Sequence, residues 1–384
     1  MEKNRLGEIA GVFFKLGLFA FGGPAAHISM MEQEIIEKRK WMSKEHFLDL
    51  IGATNLIPGP NSTEMTMHCG HERGGKLGLF VAGLSFIIPA VITTGILAWL
   101  YVEYGSLPNV EPFVQGIKPA VLAVIAAAIL KLGKKAVKNT QLGVIGVIVI
   151  LLSIFTSINE VFILLGVGLL GAIMFYTLNK DKVKKSLHPL FPFLLSSKTT
   201  TGMLAVSTGA ASTLKIFLIF LKVGAVLYGS GYVLFAYLDG ELVGAGLLTR
   251  QELLDAIAVG QFTPGPVLST STFIGYQLNG VWGALAATTG IFLPSFLFVL
   301  ILNPLIPKLR KSKFLSYFLD SVNVAALGVM VAVLILMTKE SVADWRALVI
   351  VALSIIFTFS KVKLNAMWII LIGAILGYAL SLLG

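Results

Sequence analysis

The sequence predicts an all-α polytopic membrane protein made of two homologous halves, the second an inverted repeat of the first, with broken or re-entrant helices at Pro-Gly-Pro. Three observations predict it: an apolar composition, a series of uncharged runs long enough to cross a bilayer, and a set of motifs that occurs twice, 206 residues apart.

Of the 384 residues, 56% are hydrophobic and 13% charged. A soluble globular domain is nearer one quarter charged, so this chain has too little polar surface to solvate a compact particle and lipid must supply most of its solvent. The mean hydropathy of +0.86 agrees. The net charge of +10 is not the footprint of a nucleic-acid partner. Lys and Arg gather between apolar runs, as in Lys38-Arg39-Lys40 and Lys134-Lys135, which is the pattern of topology signals and lipid head-group contacts. A single cysteine, Cys69, excludes an intramolecular disulfide. His68-Cys69-Gly70-His71 has no second ligand cluster and is a poor metal site. No metal and no cofactor are expected.

Runs of roughly 20 apolar residues are membrane-helix candidates. They fall at 9–28, 77–102, 113–132, 142–157, 160–178, 214–238, 281–303, 314–337, 345–359 and 364–383. Two more, 46–68 and 251–275, are interrupted at Pro58-Gly59-Pro60 and Pro264-Gly265-Pro266. Proline removes an amide donor and pushes the preceding residue out of helical geometry, so each interruption breaks its helix. Non-helical backbone at membrane depth is tolerated where protein or a wet cavity surrounds it, and the breaks are therefore the candidate site.

The two Pro-Gly-Pro motifs share their offset with Asp49 and Asp255, Ser43 and Thr249, and Lys44 and Arg250. Lys15 and Gly17 match Lys222 and Gly224 one residue out of step, and Pro89 matches Pro294. The expected units are a repeat at 1–178, a basic cytoplasmic linker at 179–212 and a second repeat at 213–384. Basic stretches at Lys38 to Lys40, Arg73 to Lys76, Lys131 to Lys138 and Lys180 to Lys185 mark the cytoplasmic side by the positive-inside rule. Both flanks of 46–68 then lie inside and both flanks of 251–275 outside. That gives five crossings and one re-entrant hairpin per half, an inverted second copy, and both termini outside. Twelve full crossings with parallel repeats is the alternative.

Phe21-Gly22-Gly23-Pro24-Ala25-Ala26-His27, Trp41 in a charged segment, Asn55-Leu56-Ile57-Pro58-Gly59-Pro60 and Gly116-Ile117-Lys118-Pro119-Ala120-Val121 resemble the chromate ion transporter family, in its long two-half form. The likeness recurs at Gln261-Phe262-Thr263-Pro264-Gly265-Pro266 and covers the chain from residue 13 to 338. The resemblance implies efflux of chromate from the cytoplasm across the cell membrane, with sulfate as a chemically similar ligand. One departure is plain: Tyr228-Gly229-Ser230-Gly231 stands where the first half has Phe21-Gly22-Gly23-Pro24.

The residues themselves suit an anion. Chromate and sulfate are tetrahedral dianions, and burying one requires donors and positive charge. Helix N-termini offer both. Pro24, Pro60 and Pro266 suit the first position of a helix. Gly22, Gly23, Asn55, Pro58, Gly59, Asn61, Ser62 and Thr63 in one half, and Gln261, Thr263, Pro264 and Gly265 in the other, make up the candidate binding set with Lys15 and Lys222. Both lysines lie inside apolar runs, where a charge is costly and is by default functional; snorkelling to the interface is the alternative. Lys118 also lies in such a run, but its repeat partner is Asn323. Asp49 and Asp255, which are repeat partners, and Glu64, which has no acidic partner, are candidate coupling groups for protons. Asp49 and Asp255 have a second reading as helix-end contacts with the adjacent basic residues.

The motifs expected of an intramembrane enzyme, Gly-x-Ser-x-Gly or His-Glu-x-x-His, are absent from the sequence, so an enzyme is not expected. Sulfate transport and a passive anion channel remain alternatives to chromate transport, and a homo-oligomer stays open.

Overall fold

Proline and glycine set the course of the chain. The computed structural model describes residues 2–20, 23–54, 56–105, 107, 110–156, 158–178, 212–228, 231–302, 312–342, 344–359, 364 and 366–382, and among them the regular structure is helical. Helix α1 (Glu2–Phe19) breaks before Gly23, whose φ of 77° suits glycine, and Pro24 opens α2 (Pro24–Met31), where its missing N–H costs nothing. A π-helical stretch, Glu32–Lys38, extends α2.

The chain then doubles back. Trp41 Nε1 donates to Glu8 at 3.2 Å and Arg73 Nη2 at 2.9 Å, and the Phe13 and Trp41 rings pack edge to face at 6.2 Å. The first apolar run, read from sequence as a crossing, is therefore a hairpin that begins and ends on one face.

Helix α3 (Lys44–Thr54) and the start of α4 (Asn61–Tyr104) flank the first Pro-Gly-Pro. His46 Nε2 lies 3.1 Å from Glu72. Helix laid in line would hold these two residues roughly 39 Å apart, so this segment too enters and returns. At Gly74-Gly75 the backbone leaves helical geometry and α4 folds on itself. Gly75 has φ +62°, and Gly70 packs against Gly78. The arm 61–73 thus lies against the long arm 76–104.

Helices α5 (Glu111–Ala136), α6 (Thr140–Phe155) and α7 (Glu160–Leu178) complete the half. The second half repeats the plan with α8 (Thr213–Val226), α9 (Leu234–Leu238), α10 (Arg250–Phe262), α11 (Thr270–Leu302), α12 (Lys313–Ser341), α13 (Trp345–Phe359) and α14 (Ala366–Ser381). Its α11 folds back at Asn279-Gly280, with Gly275 against Gly283. Where Pro24 is missing from the repeat, the return starts in a 3-10 turn, Gly231–Val233, instead of an α-helix. Among the described residues, five segments are long and apolar enough to cross a bilayer: 61–104, 111–136, 160–178, 267–301 and 313–341. Three shorter apolar helices, α6, α13 and α14, accompany them.

The halves pack head to tail. Helix α6 runs alongside α12: Lys138 pairs with Asp320 at 2.6 Å, Gly146 faces Val324, and Val149 faces Gly328. Helix α7 runs against α12, with Gly171 on Ser321, Phe175 beside Tyr317 at 5.8 Å and Tyr176 beside Phe314. A turn of three residues joins α5 to α6, so α12, the repeat mate of α5, runs opposite to α5. Helices α5 and α14 are likewise antiparallel, since Gly377 meets Pro112 and Gly116 while Gly373 meets Gly116 and Ala120. The second copy is inverted.

One face, basic in sequence, carries Glu8, Lys38, Arg39, Trp41 and Arg73. The opposite face carries the base of the second half, where Asn159 donates to Glu241 at 2.9 Å and Asn279 to Thr213 at 2.9 Å. Helix α7 ends on the first face and α8 begins on the other. Residues 179–211, which join them, lie outside the described residues.

Candidate functional site

Each Pro-Gly-Pro contains one backbone donor, the glycine amide, because its flanking prolines have none. In both halves that donor is used by the other half. Gly59 N–H donates to the carbonyl of Leu227 at 2.7 Å, and Gly265 N–H donates to the carbonyl of Ala20 at 2.9 Å. Ala20 and Leu227 are themselves repeat mates, at the breaks that end α1 and α8. Gly59 has φ +136° and Gly265 φ +89°, a region that side chains rarely adopt. Each tip therefore docks on the broken first helix of the opposite copy.

The tips also touch the long crossing arms near their middles. A Cβ at Gly59 would lie 2.6 Å from Ser295 Oγ of α11, and one at Gly265 would lie 2.9 Å from Ala90 Cβ of α4. These contacts set both tips at mid-depth. The Ala20 carbonyl accepts a second bond, from His27 Nε2 at 3.1 Å. A carbonyl only accepts, so Nε2 carries the hydrogen and Nδ1 is left to accept from the Ser62 hydroxyl at 3.2 Å.

Helix starts cluster at the tips. Pro24 takes the first helical position of α2. Pro60 and Pro266 sit one place earlier, as extended N-caps, and the Pro60 carbonyl accepts from the amides of Thr63 and Glu64.

Of the residues singled out in sequence, Pro58, Gly59, Pro60, Ser62, Thr63, Glu64, Thr263, Gly265 and Pro266 are buried at the two tips; Gly23, Pro24, Asn61, Gln261 and Pro264 are half-buried there. Gly22 and Asn55 lie outside the described residues. The structure does not bring Lys15 or Lys222 to the tips. Lys15 is exposed, and Lys222 is 47% exposed and paired with Glu241 at 2.6 Å. Asp49 is exposed on α3, whereas its mate Asp255 is 4% exposed.

The two tips differ in chemistry. Against the first lies Glu64, fully buried, with neither oxygen in a hydrogen bond among the described residues. The Ser295 hydroxyl lies on the same side of Gly59 and is the polar group beside the carboxyl. A buried carboxyl with no cation beside it is stabilised when a proton or a ligand neutralises it. Around the second tip are hydroxyls. Thr94 Oγ1 donates across the halves to Ser269 Oγ at 3.2 Å, Thr270 and Ser271 bond the carbonyls of Val267 and Leu268, and Thr272 pairs with Thr288 at 2.7 Å.

Sequence reasoning set aside one group that the structure brings into the interface. Lys118 of α5 meets Asp255 of α10 at 3.4 Å, and the Tyr101 hydroxyl of α4 donates to the same carboxylate. The signal was present: two isolated charges of opposite sign, each in an apolar run. Among the described residues no three His, Cys, Asp or Glu side chains converge as a metal site would require.

The sequence profile of the family described as "Chromate transporter" matches this chain twice, over residues 7–172 and 214–378. A "Probable chromate transport protein" of Synechococcus elongatus is 30% identical over 97% of this chain and 95% of its own length. A "Chromate transport protein" of Pseudomonas aeruginosa is 31% identical over 95% of this chain and 90% of its own. One from Cupriavidus metallidurans is 28% identical over 93% and 89%. No solved structure matches the chain.

Proposed function

The chain belongs to the chromate transporter family, and from that premise we propose that it is a secondary transporter that carries chromate, or a closely related tetrahedral oxyanion, out of the cell between its two inverted halves. The observation that carries this reading is the reciprocal docking of the two Pro-Gly-Pro tips at mid-depth, because inverted repeats with broken helices form substrate sites where the breaks meet. Helix N-termini and hydroxyls at the tips supply donors for a dianion. The binding set is Gly22, Gly23, Pro24, Asn55, Pro58 to Thr63, Gln261 and Thr263 to Pro266. Lys15 and Lys222, which face outward, contribute at most to the field along the entry path.

A negative cell interior favours outward movement of an anion by about 2.3 kcal/mol per charge per 100 mV, so the membrane potential alone can drive export. Glu64 and Asp255 are the buried carboxyls suited to a coupled proton, and Asp49 is the exposed mate of Asp255. Sulfate shares the geometry and charge of chromate and is the second substrate of this reading.

Purified protein in chromate-loaded proteoliposomes, clamped at set potentials, tests it. Efflux that saturates with chromate, rises with an inside-negative potential and is inhibited by sulfate is expected. Flux that does not saturate would make the protein a passive channel.

A further inference from the structure

We propose that Lys118 is an anion-binding residue of the carrier, held in reserve by Asp255 until the oxyanion displaces the carboxylate. The proposal rests on the oxyanion-transport reading above.

Three lysines, Lys15, Lys118 and Lys222, lie away from the ends of their apolar runs. Lys15 and Lys222 point outward, and Glu241 holds Lys222. Lys118, 18% exposed, is the one that faces the other half. Its ammonium stands 3.4 Å from Asp255 Oδ2, longer than the 2.7–2.9 Å of a tight charge-assisted bond. The ammonium carries three donors, and Asp255 is its ion-pair partner among the described residues. Tyr101 donates to the same oxygen, while Oδ1 has no donor there. A buried pair kept for structure alone is stable when every lone pair and proton is engaged. Among the described residues this one leaves Asp255 Oδ1 without a donor and gives the ammonium one carboxylate for its three donors.

The charged and titratable groups acting on Asp255 are Lys118 from α5, Tyr101 from α4 and Glu252 on α10 itself. Arg250, on the same helix, is engaged by Asp239 and Glu340. Seven residues of α4 separate Tyr101 from Thr94, whose hydroxyl meets Ser269 at the second tip. That is about 10 Å of helix, toward the face where the second half has its base. The cluster thus joins the halves on the way from the tips to that face.

A dianion reaching Lys118 replaces Asp255 as the partner of the ammonium. The carboxylate then faces the dianion and Tyr101 with no cation, and takes up a proton from the aqueous phase: hydronium plus carboxylate gives water and carboxylic acid, Lys118 stays an ammonium, and no covalent bond to the oxyanion forms. Proton and oxyanion therefore bind the same state and move together. One dianion then crosses with one proton, carrying one net negative charge.

Chromate binding to the purified full chain, measured by titration calorimetry from about pH 8 to about pH 6, tests this. Lys118→Gln should weaken binding about tenfold or more, as expected for a lost bond to a charged group, and Lys118→Arg should retain most of it. Asp255→Asn, which releases the lysine permanently, should bind more tightly than wild type at the alkaline end. The ratio of the two affinities should approach one as pH falls, and because it compares one ligand at one pH, the anion's own protonation cancels. The Lys118→Gln/Asp255→Asn pair leaves no orphan charge and should fold yet bind weakly. Wild-type affinity in Lys118→Gln or in the double variant, or a wild-type to Asp255→Asn ratio that does not change with pH, would overturn the proposal. Failure of wild-type protein to bind chromate would instead remove the transport reading on which it rests.

Discussion

The amide of Gly59 donates to the carbonyl of Leu227 at 2.7 Å, joining a tip of the first half to the broken helix of the second. The same bond recurs, with the halves exchanged, from Gly265 to Ala20. A reciprocal pair of this kind is what an inverted duplication produces when each copy completes the other. It places the least regular backbone of both copies in protein instead of lipid, which is the condition for its survival at membrane depth.

Both tip glycines occupy backbone regions that side chains rarely adopt, and a Cβ at either would crowd the opposite half. Gly59→Ala and Gly265→Ala should each destabilise by about 1–3 kcal/mol, read as a lowered melting temperature in detergent. Gly246→Ala, at φ +67° on an open surface with nothing within 4 Å, should lose the conformational part without the steric part. Equal losses at all three positions would mean that the docking contact contributes nothing.

Among the described residues Glu64 has no counter-ion to lose. Glu64→Gln, which keeps the shape and removes the need for neutralisation, should insert and melt at or above the wild-type temperature. If Glu64 carries a coupled proton, the response of chromate flux to an imposed pH gradient should shrink in the same variant. A variant that melts well below wild type would show that the carboxyl has a structural partner.

Thr94 and Ser269 form a hydroxyl contact between the halves. Thr94→Val and Ser269→Ala should each cost about 1 kcal/mol, and the double variant should cost less than their sum because one bond is lost in all three. Strict additivity in thermal melts would show that the contact is energetically silent.

The first segment turns back at Gly23-Pro24, so Arg5 and Lys38 share a face, whereas Leu382 follows α14 to the opposite one. In a Cys69→Ala background, single cysteines at Arg5 and Lys38 should label from the same side, cytoplasmic by the basic-residue rule. A cysteine at Leu382 should label from the other. Labelling of Arg5 and Lys38 from opposite sides would restore a full first crossing.

The parts of this architecture legible in sequence are those written locally. Apolar runs, Pro-Gly-Pro breaks and the repeat offset all follow from the chemistry of neighbouring residues, and they located both tips. The return of the first segment was not legible, because Gly22-Gly23-Pro24 reads as the end of an apolar run. The bonds that reveal the return, from Trp41 and Arg73 to Glu8, join residues distant in the chain. The surroundings of the lysines were not legible for a related reason. An apolar run shows that a charge lies at membrane depth without showing which side of the helix carries it, so Lys15 and Lys222 drew attention as repeat mates. Lys118 was set aside because its mate is Asn323, yet its partner Asp255 lies in the other copy, and a contact between copies need not obey the symmetry within them.

Chromate flux in proteoliposomes, measured side by side for wild type, Gly59→Ala and Gly265→Ala at matched insertion, tests most directly whether the oxyanion passes where the tips exchange. Saturable wild-type flux, reduced by a large and similar factor in both variants, is the expected result. Wild-type rates in either variant would contradict it, because transport would then be independent of the docked tips.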